Sequence, residues 1–169
     1  MILDYSIRPE APGDERPIHD LVERAFAPMP FADGDEQDLV DALRERGELA
    51  LSLVAVDPGS VIVGQVAFSP ATIDHGDCGW FQMAPVAVCP TLQHRGIGSA
   101  LIREGIERLR RSGANGVAVV GNPAYYERFG FRAVERLAPL SAHDAPFFRA
   151  MPLAGPVPAG LLRYSSAFG

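Results

Sequence analysis

Met83-Ala84-Pro85-Val86-Ala87-Val88 runs apolar into Gln93-His94-Arg95-Gly96-Ile97-Gly98-Ser99-Ala100, and the fold follows from what this stretch can form. The first part has the composition of a strand. Past the glycines, Ile97, Leu101, Ile102, Gly105, Ile106 and Leu109 share one side of a helix, with Arg103, Glu104, Glu107, Arg108 and Arg110 on the other. A strand that enters a helix through glycines makes an anion site. The first helical N–H groups lack intrahelical partners, and the helix dipole is positive there. Gly96 and Gly98 let a diphosphate approach the backbone, and Arg95 adds a charged donor. The same glycines would also serve a tight turn that binds nothing. A P-loop is excluded because no lysine follows, and the dinucleotide fingerprint because Leu101 stands where a third small residue is needed.

A second segment adds to this. Gly116-Val117-Ala118-Val119-Val120-Gly121 is a continuous apolar run, as for a strand buried on both faces. Asn122-Pro123-Ala124-Tyr125-Tyr126-Glu127-Arg128-Phe129-Gly130-Phe131 follows it. The intervening helix predicts a parallel crossover, which brings both loops to the carboxyl ends of two strands, where α/β sheets bind ligands. Gln93-x-x-Gly96-x-Gly98 resembles the acetyl-CoA pyrophosphate loop of the GNAT superfamily of N-acetyltransferases. Asn122 to Phe131 resembles its second marker, an Asn and a Tyr ahead of Gly-Phe. The string Pro123 to Phe131 is most similar to a bacterial branch of uncharacterised predicted acetyltransferases.

The resemblance implies a mixed α/β (α+β) fold: a mostly antiparallel central sheet, splayed between two parallel strands and flanked by helices. It implies an acetyl group moving from acetyl-CoA to a primary amine of an unidentified small-molecule or protein acceptor. Gln93, Arg95, Gly96, Gly98, Ser99 and Ala100 would hold the diphosphate, the backbone of Val86 and Val88 the pantetheine, and Asn122 the cofactor arm. Tyr126, rather than Tyr125, matches the family's acid, and a phenol can deliver a proton to a departing thiolate. The competing class is an acyl-CoA-binding regulatory module without turnover.

The base is harder to place. An alkyl amine is neutral in only about one molecule in 2,500 at pH 7, so neutralising it costs ~4–5 kcal/mol. The family often supplies a glutamate from the strand before the phosphate loop. Here that strand reads Trp80-Phe81-Gln82-Met83-Ala84-Pro85, with no acid. Glu36 is the candidate base, with Glu23, Asp35 or a water held by Ser69 as alternatives. An acceptor of low pKa, such as an α-amine, needs less help. His94 reads as a surface residue.

Elsewhere the pattern predicts strands at Tyr5 to Arg8, Ala50 to Val56, Val61 to Thr72 with a bulge at Gly64, Trp80 to Val88, Phe131 to Glu135 and Pro146 to Leu153. The tail from Gly160 would dock as one more short strand. Helices are expected from Asp14 or Glu15 to Ala27, and to Arg46 from a cap at Asp33 or Asp35. Asp35, Glu36, Asp38 and Asp41 give the second helix an acidic start, which reads as a solvated face or a cation-binding one. Ala27 to Phe31 is a proline-rich apolar corner or a wall of the acceptor pocket. Pro85 requires an edge or a break in its strand.

The chain of 169 residues is 47% hydrophobic with a net charge of −6, which predicts one domain over 1–169 and argues against a nucleic-acid surface. Two cysteines, Cys78 and Cys89, show neither a disulfide framework nor a zinc pattern, and read as reduced cytoplasmic thiols. His75, Asp77 and Cys78 are explained as turn residues, so no metal is expected. No membrane span or signal sequence is expected either. An edge strand near the C-terminus is compatible with a homodimer.

Overall fold

The computed structural model describes residues 4–30, 32–74 and 76–168. Phe31 of the expected apolar corner, His75 of the turn and Met1 to Leu3 lie outside the described residues. The elements in order are β1 (Ser6–Pro9), α1 (Glu15–Phe26), α2 (Glu36–Glu45), β2 (Leu51–Val56), β3 (Ile62–Ile73), β4 (Gly76–Val88), α3 (Ile97–Arg111), β5 (Gly116–Val120), α4 (Pro123–Glu127), β6 (Leu137–Pro139), β7 (Phe148–Pro152) and β8 (Gly160–Arg163). The strands pair in the order β1-β2-β3-β4-β5-β7, with β8 on β3 and β6 on β8. The β4·β5 and β6·β8 ladders are parallel, and β1·β2, β2·β3, β3·β8 and β5·β7 are antiparallel. The mixed sheet with flanking helices is therefore as expected. Two compact units divide the chain: Met1–Phe68 with Ala84–Gly105, and Ser69–Met83 with Ile106–Gly169.

In the first unit one irregularity sets both faces of the sheet. Ala55 pairs with Gly64 and Val56 with Ile62, so Val63 is the extra residue of a bulge beside the predicted position. Residues two apart normally share a face. The bulge breaks that rule, so Ile62 joins Val54 under α1 and α2 while Gly64 turns to α3. Ile18, Leu21, Val22 and Ala25 of α1 and Val40 of α2 pack with Val54 and Ile62. A Cβ on Gly64 would stand 2.8 Å from Ile97 Cγ2 and 2.9 Å from Leu101 Cδ1, so only glycine admits α3 there. All six apolar positions predicted for α3 are buried.

In the second unit β5 is the central strand. It pairs with β4 only from Trp80↔Gly116 to Gln82↔Ala118 among the described residues, and with β7 along its whole length. Pro85 lies past the last β4·β5 rung, so its missing N–H breaks no bond of that ladder. The core here joins Ala71, Trp80, Ala118, Leu137, Phe148, Ala150 and Leu162.

Two expectations need correction. The segment Phe131 to Glu135 forms only an isolated bridge, Arg132↔Ala150, and the strand comes later, at Leu137–Pro139. Phe131 alone anchors that segment, because Arg132, Ala133 and Glu135 are exposed and Val134 is half-buried. The turn expected over Asp74 to Gly79 is shorter. Asp74 takes a left-handed φ of 52° and β4 already begins at Gly76. The tail does dock as β8, on Thr72 and Ile73 of β3. Among the described residues no helix is long and apolar enough to cross a membrane.

Gly105 gives a test whose sign is informative. Alanine in an exposed helix interior is favoured over glycine by about 1 kcal/mol. Here the new Cβ would stand 2.4 Å from Cε2 of Phe68, whose side chain is fully buried. Gly105→Ala should instead destabilise by ~1–3 kcal/mol, read as a lower urea midpoint at unchanged slope. A higher midpoint would mean that α3 is not seated on Phe68.

Candidate functional site

The glycine loop belongs to the first unit. Cys89 N–H donates to Val63 O, the bulge carbonyl, at 2.8 Å, and Gln93 Nε2 donates to Val88 O at 3.2 Å. These bonds tie the end of β4 to the loop. His94 and Gly96 follow in left-handed conformation, at φ 64° and 89°. A Cβ at Gly96 would meet nothing within 4 Å, so glycine is required there by the backbone angle and the space beside it is open. Arg95 and His94 are exposed. The first closed bond of α3 is Ala100 N–H to Gly96 O, at 3.0 Å. The amides ahead of it stand where a helix N-terminus offers donors to an anion. Gln93, Arg95, Gly96, Gly98, Ser99 and Ala100 are thus brought together in one turn at the end of the strand that carries Val86 and Val88.

The tyrosines belong to the second unit. Asn122 caps the short α4: its Oδ1 accepts Ala124 N–H at 3.1 Å, and Pro123 occupies the first helical position. The expected contact of Asn122 with a cofactor is thus joined by a structural duty. Tyr126 lies against the end of β5, where a Cβ on Gly121 would come within 2.7 Å of its Cε2. Tyr125 and Phe131 meet it edge-on at 5.1 and 6.0 Å. Tyr125 is built into the surface instead, under the Arg128 guanidinium at 4.6 Å and beside Phe129 at 5.4 Å. Burial, and then the charge of Tyr125, push the Tyr126 phenol up to about 12, so it is a protonated group at any ordinary pH.

Sequence reasoning missed what holds α4. Arg149 of β7 pairs with Glu127 at 3.1 Å and also donates to Phe148 O at 2.7 Å. This pins the residue next to Tyr126 to the sheet. The signal was an arginine inside an otherwise apolar strand.

Glu36 is placed differently from a solvated acid. It is buried, and its oxygens accept the amides of Asp33 at 3.2 Å and Gly34 at 3.3 Å. It belongs to the first unit, as do Glu23, which is exposed, and Asp35, which precedes α2 without a side-chain cap. Asp41 is drawn into a network: His19 Nδ1 lies 2.7 Å from it, and Arg44 bridges it and Glu10 at 3.1 and 2.9 Å. This network ties α1, α2 and the end of β1 together. Cys78 donates from Sγ to Ala71 O at 3.4 Å, a strand contact, and both cysteines are free thiols.

A family model described as "Acetyltransferase (GNAT) domain" matches residues 48–133. The chain is 40% identical over 125 residues to the uncharacterized N-acetyltransferase YhbS of Escherichia coli K12, covering 74% of this chain and 72% of that one. A crystal structure of a GNAT family acetyltransferase from Brucella melitensis in complex with acetyl-CoA superimposes with a TM-score of 0.88 at 37% identity, over 98% of this chain and 99% of that one. The Escherichia coli YhbS structure in complex with CoA gives 0.88 at 35% identity, over 98% and 92%.

The placement of Tyr126 has a spectroscopic consequence. In an alkaline titration followed by phenolate absorbance, wild type minus Tyr126→Phe should show a step near 12 rather than near the ordinary value of about 10. The folded chain keeps a proton that the unfolded chain releases from about pH 10 upward. The group's contribution to stability is therefore intact below that pH and lost as pH rises toward the folded value. A step at the ordinary position would mean that the ring is solvated.

Proposed function

Because the chain belongs to the acetyltransferase (GNAT) family, we propose that Tyr126 is the general acid with which it moves an acetyl group from acetyl-CoA to a primary amine. The observation that carries this is the seat of Tyr126 on Gly121, which only glycine leaves open and which keeps the phenol protonated. The residues of the glycine loop fit the coenzyme. Gly96 has open space beside it, the N-terminus of α3 follows, and Arg95 is exposed for a diphosphate. In this reading Gln93, Arg95, Gly96, Gly98, Ser99 and Ala100 bind the diphosphate, Val86 and Val88 the pantetheine amides, and Asn122 the arm. Bound there, acetyl-CoA supplies the activated acyl carbon. The relatives' complexes with acetyl-CoA and CoA support the assignment.

The chemistry follows from the phenol's position on the proton scale. A thiol ordinarily titrates near 8.5, well below Tyr126. A proton handed from the phenol to the leaving sulfur therefore runs uphill unless another reaches the phenol as it leaves. The C–N bond forms, the C–S bond breaks, sulfur takes the phenolic proton, and the proton lost by nitrogen makes good the loss. Glu36 is the candidate base for an acceptor that arrives as an ammonium ion, which must shed one proton more.

We read residues 1–169 as a single transferase domain, supported by solved relatives that span 98% of the chain. Two free thiols support a cytoplasmic setting.

Tyr126→Phe removes the proton and keeps the ring. Thiol release should fall by about 10²-fold or more, while calorimetry finds acetyl-CoA affinity within about twofold of wild type. An unchanged rate would reject Tyr126 as the acid, and a parallel loss of affinity would make it a binding residue.

A further inference from the structure

Arg149 stands on the face of the sheet that carries α4. It is the ladder partner of Val119, and Met151 is that of Val117. Cross-strand partners share a face, and side chains alternate along a strand. Ala118, Phe148 and Ala150 turn to the apolar core of this unit, so Val117, Val119, Arg149 and Met151 turn the other way. Gly121 continues that second set two residues beyond Val119, and its N–H donates to Phe147 O at 3.1 Å. The Tyr126 ring lies over Gly121. The candidate acid and Arg149 thus share one face of β5 and β7.

The helix between them needs outside support. It has five residues, Pro123–Glu127, too few to persist on its own bonds. Asn122 holds its first turn through Ala124 N–H. Gly130 follows it over Met151, where a Cβ would stand 3.5 Å from Cε. Arg149 holds the end. Its Nε donates to Glu127 Oε1 at 3.1 Å, and its Nη1 to Phe148 O at 2.7 Å and Pro146 O at 3.4 Å. The carbonyls fix the planar guanidinium to the start of β7, so Glu127 docks on a pre-organised partner. The arginine side chain is 19% exposed but that of Glu127 is 51%. A pair open to water on one side adds little to overall stability. What it sets is where the last turn of α4 lies, and Tyr126 is in that turn. Burial and then Tyr125 raise the Tyr126 phenol, so Arg149 bears on it through placement rather than through charge.

We propose that Arg149 is a positioning residue for the transfer: through Glu127 it holds α4 so that the Tyr126 hydroxyl stands in place to deliver its proton. This rests on the reading of Tyr126 as the acid. Proton delivery needs hydrogen-bond reach, and a misplacement of about 1 Å can cost ~100-fold in rate. Asn122 and Arg149 hold opposite ends of the helix. Loss of the arginine therefore frees the Tyr126 end and leaves the capped end, which carries the proposed contact with the cofactor arm, as it was.

Variants of the pair test this. In Arg149→Met and in Glu127→Ala, thiol release from acetyl-CoA with water as the acceptor should fall by about 10- to 100-fold. Calorimetry should find acetyl-CoA affinity within about twofold of wild type in both. The urea midpoint of Glu127→Ala should equal that of wild type, because the pair is half-exposed there. This variant carries the test where Arg149→Met does not fold. The double variant should be no slower than Arg149→Met, since both changes remove one contact. Added to Tyr126→Phe, Arg149→Met should cost less than about twofold more, because no proton remains to be placed. In the alkaline titration of Arg149→Met the Tyr126 step should move from near 12 toward the ordinary value of about 10. Loss of a positive charge alone would move it up, so the downward direction reads a loosened seat. An unchanged rate or a lowered midpoint in Glu127→Ala, multiplied losses in the double variant, or a step that stays or rises in Arg149→Met would each overturn the proposal. The two readings fail separately. A slow Tyr126→Phe beside a Glu127→Ala of wild-type rate removes the role of Arg149 and leaves the acid. An unchanged rate in Tyr126→Phe removes the acid, whatever the titration of Arg149→Met shows about the seat of the ring.

Discussion

The indole of Trp80 lies on Gly116, and the placement of the candidate acid depends on that contact. The two residues are partners on the first rung of the parallel β4·β5 ladder. A Cβ on Gly116 would fall 2.4 Å from Cε2 of the ring, so no other residue permits the rung to close. The indole is 2% exposed. Burying roughly 200 Å² of aromatic surface is worth ~5 kcal/mol, more than the three rungs of hydrogen bonds at about 1 kcal/mol each. The ladder is thus registered by packing more than by its bonds. Once Trp80 fixes where β5 starts, five residues of strand fix where it stops. Gly121, Asn122 and Tyr126 then follow in an order that the chain cannot shift by one residue without reversing every side chain of β5.

The same economy of glycine explains why the elements around the candidate site were legible. A strand, two glycines, a helix with a clean apolar stripe and a buried apolar strand are all local patterns. Local patterns survive into the fold when packing agrees with them, as it does along α3 and β5. The place of Tyr126 in its turn was legible because its spacing to Gly130 and Phe131 is short, and Phe131 does anchor the turn. The strand at Phe131 to Glu135 failed for the complementary reason. Its alternation had one buried member, and a single anchor holds a bridge but not a ladder.

What was not legible depends on burial that sequence does not encode. Glu36 sits in an acidic run and looks solvated, yet its side chain folds back on the amides just ahead of α2. Ser69 and Gln82 are 13 residues apart in sequence and each is unremarkable alone. They stand out only because the neighbouring strands β3 and β4 bury them with polar atoms unpaired. The ion pair of Arg149 with Glu127 is likewise set by the antiparallel β5·β7 register, which Glu127, outside the sheet, gives no hint of.

If Tyr126 is the acid, its raised phenol and the lack of a carboxylate from Trp80 to Pro85 constrain each other. A tyrosine held near its ordinary value could lend a proton to sulfur and wait for solvent to replace it. In the proposed reaction one pushed up to about 12 would not remain a phenolate at neutral pH, so delivery and recovery would be close in time. The nearest source of a returning proton is the nitrogen that has just bonded to carbon. That nitrogen has a proton to give only after the bond has formed, and it can form the bond only once it is neutral. A carboxylate in the strand before the loop would relax this constraint by neutralising a charged amine on arrival. With Gln82 there instead, that stretch of strand offers no such base, and the neutralising group has to come from elsewhere.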